Sequence, residues 1–362
     1  MAGHQTSSAV RRFRQNASCV CCVSRRDVLS GFATVAASAA LPSAPAIAQT
    51  SPQPFVQAGR IDVHRHFVPP GYVVDPKRTY LNDRSTVPRQ IEDMDRSGVS
   101  LAVISISVAT LDDRDAAATR RFSRLANEYS AKLCADHPGR FGQFAILPLP
   151  DVEGSLREIA YAFDTLKADG ICLMTSYQSR YLGDPAFAPV MDELNRRKAV
   201  VFTHPVRPDC CRNLVPDVAE PVIELATDTT RTVASILFSG TATRCPDIRF
   251  IWSHGGGTIP FLTMRLVNWA NARKDLKDRL PEGPVAALRK FYYDTAQAAH
   301  PYALSSLLKL VSTSQVVFGT DFPFVTAGAT AQGLKDFGLS ANDLAAIDRG
   351  NSAALLPRRR AG

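Results

Sequence analysis

Four short segments of the sequence place histidine or aspartate at the end of an apolar run. These segments are IDVHRHF (61–67), VFTHP (201–205), SHGGG (253–257) and GTDFP (319–323). Side chains alternate along a β-strand, so His64 and His66 point to the same side and two imidazoles can bind one ion. His204 adds a third nitrogen and Asp321 an oxygen. Three nitrogens and one carboxylate suit Zn²⁺ best, and suit Mn²⁺ and Fe²⁺ less well.

Other candidate side chains accompany this ligand set. His254 precedes Gly255–Gly257 and can stand beside the metal as an acid/base group or a substrate anchor. Arg207 can hold a substrate carboxylate, and Phe324 can form an aromatic wall of the pocket. Each has a plainer alternative: a solvated surface charge for Arg207, barrel core for Phe324 and a simple turn for the glycines. Arg65 lies between the two histidines, so strand alternation directs it away from the metal.

Eight β-like runs, separated mostly by helix-like stretches, must position these side chains. The runs are 60–67, 101–107, 141–149, 170–175, 199–205, 248–255, 291–296 and 316–322. The helix-like stretches lie near 87–97, 115–136, 155–168, 186–198, 221–239, 258–273, 302–311 and 341–348. Most runs are continuously apolar, which is typical of parallel strands buried on both faces.

This alternation predicts an α/β protein with a single (β/α)8 TIM barrel. The ligand residues then lie at the C-terminal ends of strands 1, 5, 6 and 8, where the active sites of such barrels form. An open doubly wound sheet is the alternative fold. It is disfavoured because no GxGxxG motif follows a strand. Taken singly, a buried histidine is commonly a core residue, so the metal-site hypothesis depends on the shared location of these signals.

The first 48 residues have the composition of an export signal. Arg25-Arg26 precede a mildly apolar stretch and the small residues Ala46-Ile47-Ala48, a pattern that resembles a twin-arginine signal. We therefore expect a leader over 1–48, a linker over 49–59, a barrel over 60–356 and a basic tail over 357–362. This predicts a periplasmic or secreted protein, the alternative being a cytoplasmic protein that keeps a disordered tail.

The net charge of +8 is concentrated at the two ends of the chain. Residues 1–48 hold five arginines against one aspartate, and three more arginines lie at 358–360. The chain between them is close to neutral, so the charge indicates no nucleic-acid partner. No segment after the leader has the composition of a membrane span, so we expect no stable membrane insertion.

Together these motifs resemble the metal-dependent amidohydrolase superfamily over residues 60–356. They are most similar to its decarboxylase branch, typified by aminocarboxymuconate-semialdehyde decarboxylase, and to 6-methylsalicylate decarboxylase-like proteins. The resemblance implies that His64, His66 and His204 bind the metal and that Asp321 both binds it and moves a proton. It implies an acid/base role for His254. Met174-Thr175-Ser176 stands where binuclear relatives carry a bridging lysine, so the resemblance implies a single metal.

Two activities use the same five residues. The resemblance favours non-oxidative decarboxylation of a small aromatic or unsaturated carboxylic acid, such as a 6-methylsalicylate-like hydroxybenzoate, with Asp321 as the proton donor and acceptor. The alternative is hydrolysis of a lactone, ester or amide by hydroxide bound to the metal. A non-catalytic metal-binding protein is disfavoured because His254 and Asp321 are both present. The family also implies a possible homodimer.

Overall fold

Eight parallel strands lie side by side in chain order in the computed structural model, which describes residues 59–70, 83–106 and 115–356. The strands are β1 (Arg60–Phe67), β2 (Val99–Ile106), β3 (Phe141–Ile146), β4 (Gly170–Met174), β5 (Val200–His204), β6 (Arg249–Trp252), β7 (Tyr292–Asp294) and β8 (Val316–Val317). Each consecutive pair from β1 to β8 is parallel. Such connections require a crossover after each strand, and helices supply most of these.

The sheet closes between its first strand and the segment that follows its last. The backbone N–H of Val63 donates to the carbonyl of Phe318 (3.0 Å), and that of His66 donates to Phe322 (2.9 Å). A parallel bridge joins Arg65 to Phe322. The predicted (β/α)8 barrel is therefore confirmed, and the open doubly wound sheet is wrong because β1 pairs with the segment that directly follows β8.

Helices follow most of the strands. They are α1 (Val87–Arg96), α2 (Ala116–Asp136), α3 (Val152–Ala160), α4 (Ala188–Arg196), α5 (Glu224–Phe238), α6 (Thr241–Arg244), α7 (Ile259–Ala272), α8 (Gly283–Leu288), α9 (Pro301–Leu310), α10 (Ala327–Phe337), α11 (Ala341–Ala345) and α12 (Asn351–Leu355). A π-helical turn continues α3, and another links α11 to α12. A short antiparallel hairpin, Ser176–Tyr177 with Arg180–Tyr181, follows β4.

The strands are buried on both faces, as their continuous apolar character predicts. Phe202 on β5 stacks on Phe144 of β3, with ring centroids 5.6 Å apart. The same Phe202 ring meets His64 edge-on at 4.8 Å. Apolar rings thus pack directly against the histidines at the end of the barrel interior and limit how far these imidazoles can move.

The ends of two strands differ from the sequence prediction. β6 ends at Trp252 and β8 at Val317, so His254 and Asp321 lie on irregular segments beyond the strands. His254 has φ 54° and Asp321 has φ 65°, in the left-handed region that a strand cannot adopt. Helix α10 is also absent from the predicted pattern, although Thr326 caps its start and Gly338 ends it in the left-handed conformation.

Several predicted segments lie outside the described residues. These are the leader (1–48), the basic tail (357–362) and all of the linker (49–59) except Gly59. Among the residues that the structure describes, no helix combines the length and apolar composition that a membrane span requires.

Candidate metal centre

Four buried side chains converge where the sequence predicts a metal. His64, His66, His204 and Asp321 each offer one donor atom, and all four donor atoms lie within 4.8 Å of one another. The Nε2 atoms of His64 and His66 are 3.2 Å apart. Asp321 Oδ1 lies 3.1 Å from His66 Nε2 and 3.2 Å from His64 Nε2. Among the described residues this is the one group of such side chains with metal-site spacing.

The outer nitrogens of two imidazoles are held by acceptors. His64 Nδ1 donates to Asp294 Oδ2 (2.7 Å), and His204 Nδ1 donates to the carbonyl of Pro205 (3.0 Å). Each ring then carries its proton on Nδ1 and presents the Nε2 lone pair to the cluster. His204 Nε2 is buried and has no hydrogen-bond partner. An orphaned lone pair facing two other imidazoles and a carboxylate fits a single divalent cation.

A buried arginine fixes the backbone that presents the two histidines of β1. As strand alternation predicts, Arg65 is directed away from the cluster: it donates to Gln90, to Asp93 (2.7 Å) and to Asp62 (3.2 Å). Gln90 in turn donates from Nε2 to the carbonyl of His66 (2.5 Å). Asp62 accepts the N–H of His64 (3.1 Å). Arg65 is therefore a structural cation and not a substrate contact.

Burial and two carboxylates set the charge of the cluster. Burial alone lowers the pKa of His64, but the nearby Asp294 and Asp321 outweigh it and raise this pKa to about 10. Burial lowers the pKa of His66, and burial together with the neighbouring imidazoles lowers that of His204 well below its ordinary value. Burial raises the pKa of Asp321, yet the charge on His64 and the surrounding imidazole hydrogen bonds take it well below the ordinary range.

The two oxygens of Asp321 face different neighbours. Oδ1 faces the Nε2 atoms of the two histidines of β1, whereas Oδ2 lies 3.3 Å from His254 Nε2. Gln297 also donates to Oδ2 (2.6 Å). His254 is thus beside the ligand cluster, in contact with its carboxylate and outside the ligand set, as predicted. Its Nδ1 is buried and has no hydrogen-bond partner.

Glycines allow the strand ends to come this close. A Cβ at Gly319 would meet the Cβ atoms of His64 and Asp294, each at 2.9 Å. Gly257, with φ 63°, lies three residues after His254, and a Cβ there would lie 2.1 Å from the carbonyl oxygen of Ala226. The glycines beside the two acid/base candidates therefore have a steric role in addition to any turn.

The two predicted substrate contacts are placed differently. Phe324 lies at the edge of the site, with its ring 6.1 Å from that of His66 and 42% of the residue exposed. The Arg207 guanidinium pairs with Glu220 at 3.5 Å. Arg207 is thus engaged at the surface of the loop after β5, in which Cys210 and Cys211 are joined by a disulfide.

Sequence reasoning missed two residues of the site. Asp294 is completely buried at the end of β7, and Gln297 lies three residues further on. The available signal for Asp294 was a carboxylate at the end of an apolar run, the same signal that identified Asp321. Gln297 has no such signal, because its contact with Asp321 arises from a backbone turn and not from strand periodicity.

Comparisons with known proteins identify the family of this chain. Residues 61–358 match the family model described as amidohydrolase. Decarboxylase yanB of Aspergillus niger is 35% identical, over 83% of this chain and 88% of that protein. The 6-methylsalicylic acid decarboxylase of Penicillium expansum is 31% identical, over 83% of this chain and 96% of that protein.

The fold is also that of solved decarboxylases. A dihydroxybenzoic acid decarboxylase from a Polaromonas species, solved with manganese and the inhibitor 2-nitroresorcinol, superposes with a TM-score of 0.71 at 22% identity. The match covers 84% of this chain and 98% of that one. With its family match over most of its length and its barrel confirmed, this chain belongs to the amidohydrolase family.

Proposed function

We propose that this protein is a metal-dependent, non-oxidative decarboxylase of a small hydroxybenzoate of the 6-methylsalicylate type. The observation that carries the proposal is the buried His64, His66, His204 and Asp321 cluster, in which the carboxylate of Asp321 also contacts His254. Two fungal relatives support this proposal: both are decarboxylases, and the one from Penicillium expansum acts on 6-methylsalicylic acid. The Polaromonas structure supports a ring whose carboxylate has a neighbouring hydroxyl, because in its inhibitor, 2-nitroresorcinol, the nitro group lies between two hydroxyls.

The three imidazoles and Asp321 would hold a divalent ion, which would supply Lewis acidity toward the substrate carboxylate and its neighbouring hydroxyl. Asp321 begins ionised, because a divalent cation beside its carboxylate would favour the charged form despite burial. It takes the proton of the phenolic hydroxyl and delivers it to the ring carbon that bears the carboxylate. The bond to the carboxylate then breaks, its electron pair returns to the ring, and CO₂ leaves. His254 steadies Oδ2 of Asp321 during the transfer.

The substrate class is tested with purified, metal-loaded protein and a panel of carboxylic acids. We expect CO₂ release from 6-methylsalicylate or a dihydroxybenzoate and none from benzoate, which lacks the adjacent hydroxyl. A parallel set of lactones and esters tests the hydrolytic alternative. Hydrolysis of that set without CO₂ release from any acid would reject the proposal.

For the native metal we propose zinc, with manganese as the competing outcome. Three imidazole nitrogens and one carboxylate are a common donor set for zinc, while the Polaromonas structure holds manganese. Elemental analysis of the protein as purified, followed by removal of the metal and reloading with each ion, decides between them. Zinc at one equivalent with full activity supports the proposal, and activity restored by manganese alone overturns it.

We also propose that the protein forms a homodimer through the outer face of α7. Phe261, Met264 and Trp269 are apolar residues of this helix that are 83%, 62% and 52% exposed. Large apolar side chains exposed together on one helix are typical of a protein–protein interface. We expect Phe261→Ser to yield monomers in light scattering, while Tyr302→Ser, at a residue that is 91% exposed on α9, leaves dimers. A monomeric parent protein would reject this proposal.

Export by the twin-arginine route remains a proposal that rests on residues 1–48 alone. The arginine pair, the apolar stretch and the small residues at Ala46–Ala48 support it. Sequencing the N-terminus of periplasmic protein should find Gln49 or a near neighbour, and replacing Arg25 and Arg26 by lysine should abolish export. An intact Met1 on a wholly cytoplasmic pool would reject it.

A further inference from the structure

Asp321 and the two residues whose side chains contact its Oδ2 share an unusual backbone conformation. His254, Gln297 and Asp321 have φ values of 54°, 50° and 65°, all in the left-handed region. Residues other than glycine adopt this region at an energetic cost, and such residues concentrate where a side chain must be aimed for function. His254 and Asp321 already have roles in the proposed reaction, whereas Gln297 has none.

Gln297 makes the shortest polar contact to Asp321. Its Nε2 donates to Oδ2 at 2.6 Å, while the imidazole contacts of the carboxylate range from 3.1 to 3.3 Å. Donation from a neutral amide to a carboxylate is a charge-assisted hydrogen bond, which is stronger and more directional than one between neutral groups. Because Oδ1 faces His64 and His66, the Gln297 contact fixes the rotation of the carboxylate.

The turn that carries Gln297 is tied to the rest of the site. Asp294, which accepts from His64, also accepts the backbone N–H of Ala296 at its Oδ1 (3.1 Å). Ala298 donates its N–H to the carbonyl of Thr295 (3.0 Å) and closes the turn. The residue Gln297 is nevertheless exposed. An exposed residue in a costly conformation adds little packing, so its side-chain contact accounts for its placement better than core stability does.

We propose that Gln297 is a positioning residue for the proton-transfer carboxylate. Its amide N–H holds Oδ2 of Asp321 toward the substrate side and leaves Oδ1 for the metal. The amide suits this task because it donates without bringing a positive charge that would compete with the metal. A carboxylate at this position would repel Asp321. The catalytic consequence rests on the proposed decarboxylation, whereas the positioning itself does not.

The test compares two variants that each remove one short amide–carboxylate bond. Gln297→Leu removes the contact with Asp321, and Gln332→Leu removes an equal 2.6 Å bond to Asp336 on the surface of α10. We expect Gln297→Leu to lower kcat about 10–100-fold, with KM and the metal dissociation constant each changed less than about threefold. Gln332→Leu should keep the parent values. An unchanged kcat in Gln297→Leu, or a fall in kcat matched by loss of metal, would overturn the proposal.

A glycine variant separates positioning from a role in stability. Gln297→Gly removes the side chain at a position whose left-handed φ suits glycine. We expect the melting temperature to hold or rise while kcat falls as in Gln297→Leu. A clear drop in melting temperature with kcat retained would assign Gln297 to stability and reject the proposal.

Crystal structures of the metal-loaded parent and of Gln297→Leu make the test independent of any substrate. We expect the carboxylate of Asp321 to rotate about its Cβ–Cγ bond in the variant. An unrotated carboxylate would overturn the positioning role even if the parent decarboxylates its substrate. A rotated one supports this role even if no acid in the panel is a substrate.

Discussion

Asp294 connects two functions that the sequence places on different strands. One of its carboxylate oxygens accepts from Nδ1 of the metal-ligand candidate His64, and the other accepts the backbone N–H of His254 (2.8 Å). The side chains of His64 and Asp294 are both completely buried, so the bond between them is shielded from solvent. A carboxylate behind a metal-bound imidazole fixes its tautomer and raises its basicity. Asp294 therefore links the metal side of the pocket to the acid/base side.

Asp294→Asn tests this link because its single amide oxygen can still accept the backbone N–H of His254. The NH₂ group then faces Nδ1 of His64 in place of a carboxylate oxygen. We expect metal affinity to fall about 10–100-fold, as measured by competition with a chelator. Asp336→Asn, an exposed aspartate on α10, is the matched control and should retain the parent affinity. Equal metal affinities in the two variants would contradict the role of Asp294.

Metal binding should depend on pH through His64. Without metal its pKa is raised to about 10, so below that pH a proton occupies the site that the cation needs. The pKa values of His66 and His204 are lowered, so these rings do not compete in the same way. Since raising the pH removes the competing proton, the metal dissociation constant should fall about tenfold per pH unit, roughly from pH 6 to pH 9. An affinity independent of pH across this interval would contradict this account.

At the scale of elements, close packing of strand ends brings the ligands together. Gly319 follows β8, and an added Cβ would press on His64 and Asp294 at 2.9 Å each. Both are buried and hydrogen-bonded, so neither can move aside cheaply.

Gly319→Ala should therefore lower the free energy of unfolding by about 1–3 kcal/mol and weaken metal binding. Gly350→Ala is the control, because a Cβ there meets nothing closer than 3.8 Å and φ is helical. In thermal or denaturant unfolding this control should be neutral or more stable by about 0.5–1 kcal/mol. A Gly319→Ala protein with parent stability and parent metal affinity would contradict the packing argument.

The strands and the segments that follow them show which features sequence patterns can predict and which they cannot. Strands buried on both faces leave continuous apolar runs, so all eight were recognisable, and ligand types at the ends of β1 and β5 could be read directly. The segments beyond β6 and β8 were mistaken for strand. Their left-handed φ at His254 and Asp321 depends on contacts made only after the barrel closes. Gln297 was missed for the same reason.

At the scale of the whole molecule, closure of the barrel assembles the site. The backbone N–H of Asp321 donates to the carbonyl of His64 (2.8 Å), which joins the first strand to the segment after the last. Residues far apart in the sequence thus become neighbours, and the site exists only in the closed barrel. The family resemblance predicts the metal ligands. Only the folded geometry shows that Oδ1 of Asp321 faces His66 while Oδ2 faces His254.

The most direct test of the account follows the proton in deuterated water. Metal-loaded protein is incubated with the best hydroxybenzoate of the panel, and CO₂ and the ring product are measured together, the latter by NMR. We predict one CO₂ per product and one deuterium on the ring carbon that lost the carboxylate, with both abolished in Asp321→Asn protein that still holds metal. Turnover without CO₂, or unchanged turnover in metal-loaded Asp321→Asn, would contradict the account.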